Sequence, residues 1–363
     1  MRFNKVFLSL TLVFLYVQSF GQVLPTPKSY LCYQANQPIN VDGAIDEADW
    51  EKAEWTDLYV DIEGDHMPKP KYATRTKMLW DDNYLYIAAE MEEPHLWSTL
   101  TTRDTVIYLD NDFEVFINPI PTSPIYYEFE MNLLNTVWDM MMPKPYRDGG
   151  GNMNSWHIKG LKTGVKMFGT LNDPTDVDEK WTLEIAFPLD VLSQEKYHLI
   201  YPEEGKRWRI NFSRVEWQHE VKDGQYVKKI NPETGRPYPE YNWVWSPQGK
   251  INMHMPEQWG YLEFTKNKVG QVKDTEIKET EVERLYRQLY DVYRAQREFK
   301  KDNKKYAKSI KELKFTDAFT FNGKTVTPKI ISIPHGYYVV LELPQEKTTL
   351  MVNQDSKGSI IKE

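Results

Sequence analysis

The sequence has 363 residues, 40% hydrophobic and 14% aromatic, and a net charge of −8. That length exceeds one ordinary domain, and the apolar content suffices for a sizeable core. The acidic balance excludes a nucleic-acid groove, which needs clustered cations, and no polybasic stretch marks a membrane surface.

At the N-terminus, Arg2 and Lys5 precede an apolar run from Val6 to about Val17, followed by Ser19-Phe20-Gly21. This pattern predicts a signal peptide over 1–21 and an exported protein, periplasmic, surface-held or extracellular, that begins at Gln22. The run is too short to span a bilayer, so no transmembrane segment is expected in the mature chain. The lone cysteine, Cys32, allows no internal disulfide, and the distance from the apolar run speaks against lipid attachment.

From about 36 to 265 the chain alternates with period two between turn residues. Leu85, Ile87 and Ala89 alternate with Tyr84, Tyr86 and Glu90; Phe113, Val115 and Ile117 with Glu114. The same holds for Tyr127, Phe129 and Met131, for Trp181, Leu183, Ile185 and Phe187, and for Trp208, Ile210 and Phe212. This predicts a mainly β chain built as an antiparallel β-sandwich, each strand with one buried and one wet face. Residues 143–154 and 224–241 read as long loops, suited to shaping a binding site.

All twelve tryptophans lie between Trp50 and Trp259. Trp50, Trp80, Trp181, Trp208 and Trp259 sit in regular strands or motifs and are expected in the core. Residues 266–279 read as a polar linker. Beyond it Val282, Leu285, Leu289, Val292, Gln296 and Phe299 fall on one helical face. Asn322-Gly323 marks a tight hairpin, and strand-like runs follow at Lys329–Ile333 and 337–343. A small α+β module is therefore expected over 280–363, with a protein partner as one conceivable role.

Three stretches go beyond pattern. Residues 39–50 read Ile-Asn-Val-Asp-Gly-Ala-Ile-Asp-Glu-Ala-Asp-Trp; 79–89 begin Leu-Trp-Asp-Asp-Asn-Tyr and lead to Asp110-Asn111-Asp112-Phe113-Glu114-Val115-Phe116-Ile117. Trp259-Gly260-Tyr261-Leu262-Glu263-Phe264 closes the set. Over 36–265 the chain resembles the family 9 carbohydrate-binding modules and related DOMON-type sandwiches. The resemblance implies a non-catalytic sandwich that binds oligo- or polysaccharide, including chain ends, between two aromatic rings, with structural calcium nearby.

In that family a stacking tryptophan stands six residues before a ligand-binding glutamate. Glu114 matches the glutamate, but Tyr108 replaces the tryptophan and leaves a smaller ring. The second platform follows an asparagine by three residues, a spacing matched by Asn242 and Trp245. Trp138 and Trp243 are further ring candidates. For calcium, Asp173, Asp176 and Asp178 share one loop, and Asp42 lies near Asp46, but neither spacing is an EF-hand.

Two other classes stay open. Glu114, Glu128 and Glu130 offer paired carboxylates for a polysaccharide-acting enzyme. Met140-Met141-Met142 and Met253-His254-Met255 offer ligands for a haem-binding redox sandwich.

Overall fold

The computed structural model describes residues 24–192, 200–271 and 277–363; the expected signal segment lies outside them. Strands β1 (Ser29–Gln34), β2 (Val60–Asp61), β3 (Thr74–Trp80) and β4 (Tyr84–Glu92) open the chain, with the short helix α1 (Ala48–Lys52) among them. Then come β5 (Asp112–Asn118), β6 (Tyr126–Asn132), β7 (Val137–Met142), β8 (Lys162–Phe168), β9 (Lys180–Pro188) and β10 (Arg207–Glu216). The hairpin β11 (His219–Lys222) and β12 (Gln225–Lys228) follows, then β13 (Tyr241–Val244) and β14 (Gly260–Lys268).

Hydrogen bonding joins these strands, apart from the hairpin, into one curled 12-stranded sheet. Its path is β7-β6-β5-β10-β14-β1-β3-β4-β9-β8, and β13 branches from β10 to pair with β2. Strand β1 joins the two halves, lying parallel to both β14 and β3. The expected alternation places Phe113, Val115, Ile117, Phe129 and Met131 of one half against Leu85, Ile87, Leu183, Ile185 and Phe187 of the other. Phe129 meets Phe187 edge-on at 5.3 Å, so the halves face each other as a sandwich. The five tryptophans expected in the core are all buried, and so is Cys32, whose thiol burial pushes well above its ordinary pKa.

The opposite strand faces are drier than the alternation implies. On one half, Ile39, Trp50 and Ala53 cover Tyr86 and Ala88. There the Trp50 indole donates to Glu184 at 2.7 Å, and the Gly43 amide does so at 2.8 Å. Gly43 has φ +90°, and a Cβ there would come within 2.6 Å of the Val165 backbone, so glycine is required. On the other half, Phe116, Tyr126, Met140, Val244 and Trp259 form a second apolar layer.

The polar stretch after Phe264 continues β14 to Lys268 and buries Val269. Helix α2 (Glu281–Asn303) starts on a capping box of Thr280 and Glu283. It lays Leu285, Leu289, Val292 and Tyr293 on a sheet of β17 (Lys329–Ile333), β18 (Gly336–Leu343), β19 (Thr348–Asn353) and β20 (Gly358–Lys362). Asn322 and Gly323, both at positive φ, turn the hairpin β15 (Phe319–Phe321) to β16 (Lys324–Val326).

The outer face of α2 docks on the sandwich through ions. Arg287 grips both carboxylate oxygens of Glu279 and reaches Gln258 at 3.0 Å. Arg294 pairs with Glu257, and Arg207 bridges Glu263 and Glu283 at 2.6 Å each.

Candidate functional site

The even-numbered residues of β5 and β6 point away from the core. Cross-strand register sets Glu114 opposite Glu130 and Phe116 opposite Glu128, and β7 adds Trp138 and Met140 beside them. These side chains floor a cavity of about 640 Å³ whose walls come from turns and loops, with Tyr108, Tyr146, Arg147, Asn152, Glu240, Met253 and His254, and from strand β13, with Asn242. The volume lies within the range of small-molecule sites.

Of the residues expected to bind sugar, four meet in this cavity, Tyr108, Glu114, Trp138 and Asn242, and Glu128 and Glu130 of the enzyme alternative join them. Tyr108, a residue 39% exposed, lies in a single 3-10 turn, Ile107–Leu109. Its amide donates to Glu130 at 3.0 Å, tying this wall to the floor. The edge of the Trp138 indole is buried and its N–H finds no partner.

Trp243 and Trp245 do not join them. Asn242 faces the cavity, and along an extended strand a residue three positions on projects to the opposite side. Trp245 accordingly stands in the main core beside Phe212, and a Cβ on Gly260 would come within 2.3 Å of its ring. Trp243 is buried between Tyr241, stacked at 5.5 Å, and Tyr72. Both are framework, and neither is a platform.

Tyr146, a residue 45% exposed, supplies the other ring from the 3-10 turn Tyr146–Asp148 inside the expected loop 143–154. The expected loop 224–241 starts as strand β12, and its end delivers Glu240 to the cavity.

The floor is strongly acidic and dry. Glu128 and Glu130 are buried, contrary to the wet strand face that alternation implies. Burial pushes the Glu114 carboxyl up to about 8, against a smaller opposing effect of Ser213. Burial, then repulsion from Glu114, likewise raises Asp112, Glu128 and Glu130 well above the ordinary range. His254 stands 3.9 Å from Glu128, but burial holds its imidazole neutral, and Tyr126 occupies its Nδ1 at 2.5 Å. Met140, Met142 and Met253 line the cavity as part of the apolar layer around Phe116 and Tyr126.

The expected calcium loop does not fit a metal. Asp178 spends its oxygens on the amides of Leu96 at 2.7 Å and Thr170 at 2.6 Å, and Asp173 turns to Thr175. Among the described residues, Asp173, Asp176 and Asp178 do not converge on one point. Asp42 is engaged by Ala44 and Asn40 and does not meet Asp46.

The family model described as carbohydrate family 9 binding domain-like matches residues 41–226, about half of the chain. The chain belongs to this family. Among solved structures, this family 9-like chain is similar to a candidate carbohydrate-binding protein from Bacteroides uniformis, at 16% identity over 66% of this chain and 100% of that one, with a TM-score of 0.48. It is also similar to a family 9 carbohydrate-binding module from Caldicellulosiruptor kristjanssonii solved with cellotriose (16% identity, 68% and 100% coverage, TM-score 0.41). The glucose complex from the same organism gives 16%, 69%, 100% and 0.39. No curated protein matches the chain. Glu240, Asn242, Met253 and His254, which complete the cavity, lie beyond the matched stretch, as does the α2 module.

Proposed function

We propose that this cavity binds carbohydrate, as a site on an exported, non-catalytic protein. One observation carries the reading: two open tyrosine rings, Tyr108 and Tyr146, flank a floor of hydrogen-bonding side chains in one cavity. A pyranose has an apolar face of C–H groups and a rim of hydroxyls. The rings would cover the face, while Glu114, Glu128 and Asn242 would take the rim. Membership in the family supports the same ligand class.

Calorimetry of the mature protein against a panel of oligosaccharides tests this. Binding is expected with at least one glycan, with quenching of tryptophan emission through Trp138. The absence of heat across the panel would overturn it. For export, sequencing the N-terminus of protein recovered outside the cytoplasm should give Gln22.

A second reading has its own observation. Burial raises the Glu114 carboxyl to about 8, which is the property of a general acid. Release of reducing sugar by the wild type, lost in Glu114→Gln, would select it over pure binding.

A further inference from the structure

Beneath the cavity floor lies Asp112, one strand position pair before Glu114 and on the same face of β5. It has no solvent exposure, and neither carboxylate oxygen has a hydrogen-bond partner. A buried carboxyl without partners is costly, whatever its protonation.

The contrast with neighbouring acids is sharp. Asp110 receives the hydroxyls of Ser98 and Thr99, the amides of Thr99 and Leu100, and the Asn132 side chain. Asp139, in the group it forms with Asp104 and His157, is balanced by Arg103 and the Ile158 amide. Asp112 has no such company. Its oxygens instead meet those of Glu114 and Glu130, with one atom of each residue within 4.8 Å of the others. Among the described residues, no lysine or arginine pairs with any of the three. The Tyr108 amide on Glu130, Ser213 beside Glu114 and the Val215 backbone beside Asp112 offset the repulsion between these acids only in part, and no cation of the chain does so among the described residues.

We propose that Asp112, Glu114 and Glu130 hold a hard divalent cation, calcium before smaller ions, at the floor of the cavity. The donor set is oxygen alone, which suits calcium, magnesium or manganese rather than softer metals. The oxygens lie within 4.8 Å of one another, close enough for small side-chain adjustments to bring them onto one cation. Calcium accepts six to eight oxygens in loose geometry, so three carboxylates leave positions open towards the cavity. Water would fill them, or hydroxyls of a sugar, the latter resting on the carbohydrate reading above. This site is separate from the loop at 173–178.

The test uses the cation alone, with no sugar. Metal-stripped full-length protein is titrated with calcium by calorimetry, and with terbium read by emission sensitised through Trp138 at the same cavity. One calcium per chain is expected. Asp112→Asn and Glu130→Gln should each weaken it by about tenfold or more, while the exposed-loop control Asp173→Asn leaves it unchanged. Asparagine removes no hydrogen bond at 112, so that variant should fold; if it does not, Glu130→Gln decides alone. No calcium heat at millimolar concentration, or equal affinity in the variants, overturns the site. Neither result touches the carbohydrate reading, which is measured separately with glycans.

Discussion

Tyr108 and Tyr146 hold their rings open at the cavity mouth, so truncating them removes contact area without disturbing the core. Tyr108→Ala and Tyr146→Ala should each weaken glycan binding by about 1–2 kcal/mol, roughly 5- to 30-fold, with melting temperature nearly unchanged. Trp245→Ala should do the reverse. Its ring is locked against Gly260 and Phe212, so its loss costs about 3–5 kcal/mol of stability, read by denaturant melts. Any folded fraction of that variant should bind glycan normally.

His254 gives a pH prediction. It faces Glu128, Arg147, Tyr126 and Tyr146, and burial, with a smaller effect of Arg147, lowers its pKa to about 3. The unfolded chain therefore binds a proton near pH 6.5 that the folded chain refuses. Its contribution is intact above about 6.5 and lost as pH falls towards 3. His254→Gln should flatten the loss of stability between pH 6.5 and 4; an unchanged slope in denaturation series would reject this.

Among elements, strands were the legible part of the sequence. Period-two runs such as 113–117 and 181–187 identify both the strands and their core faces, because each residue there answers to one packed sheet. The opposite faces were not legible. Glu128 and Glu130 look solvated in sequence, and only the loops folding over them make them dry. The pairing of Asn242 with Trp245 failed for a reason the sequence does contain: three residues in an extended run place them on opposite sides. Tyr146 left no signal, since a short turn within a long loop has no periodicity. Asp112 and Glu114 did leave one, standing two apart and therefore on one face.

Gly43 marks a rigid joint between elements. At φ +90° and against the Val165 backbone, it cannot accept a side chain. Gly43→Ala should destabilise the sandwich by more than about 1 kcal/mol, seen as a lowered melting temperature, through strain and displacement of β8.

For the molecule as a whole, α2 braces the loop that walls the cavity. Arg297 donates to the carbonyls of Asp148 at 2.7 Å and Arg147 at 3.0 Å, and Tyr293 reaches the Asp148 carboxylate. Lys144 pairs with Asp355 at 3.5 Å. Arg297→Ala should therefore speed amide exchange over 144–152 and weaken glycan binding several-fold while the sandwich stays folded. Unaltered exchange in that loop would show the brace to be idle. The composition changes after Phe264, but long-range ion pairs carry no local pattern that would announce the grip of α2 on the cavity.

Strand β1 has a further consequence, in time rather than space. Its parallel partner β14 lies more than two hundred residues later, with Tyr30 paired to Leu262. A chain emerging from the N-terminus must carry β1 unpaired on that side until β14 appears, and β10 waits for the same strand. The sandwich thus cannot close until nearly all of it has been made. Folding should be slow, dominated by one late event, and vulnerable to edge-to-edge association before then.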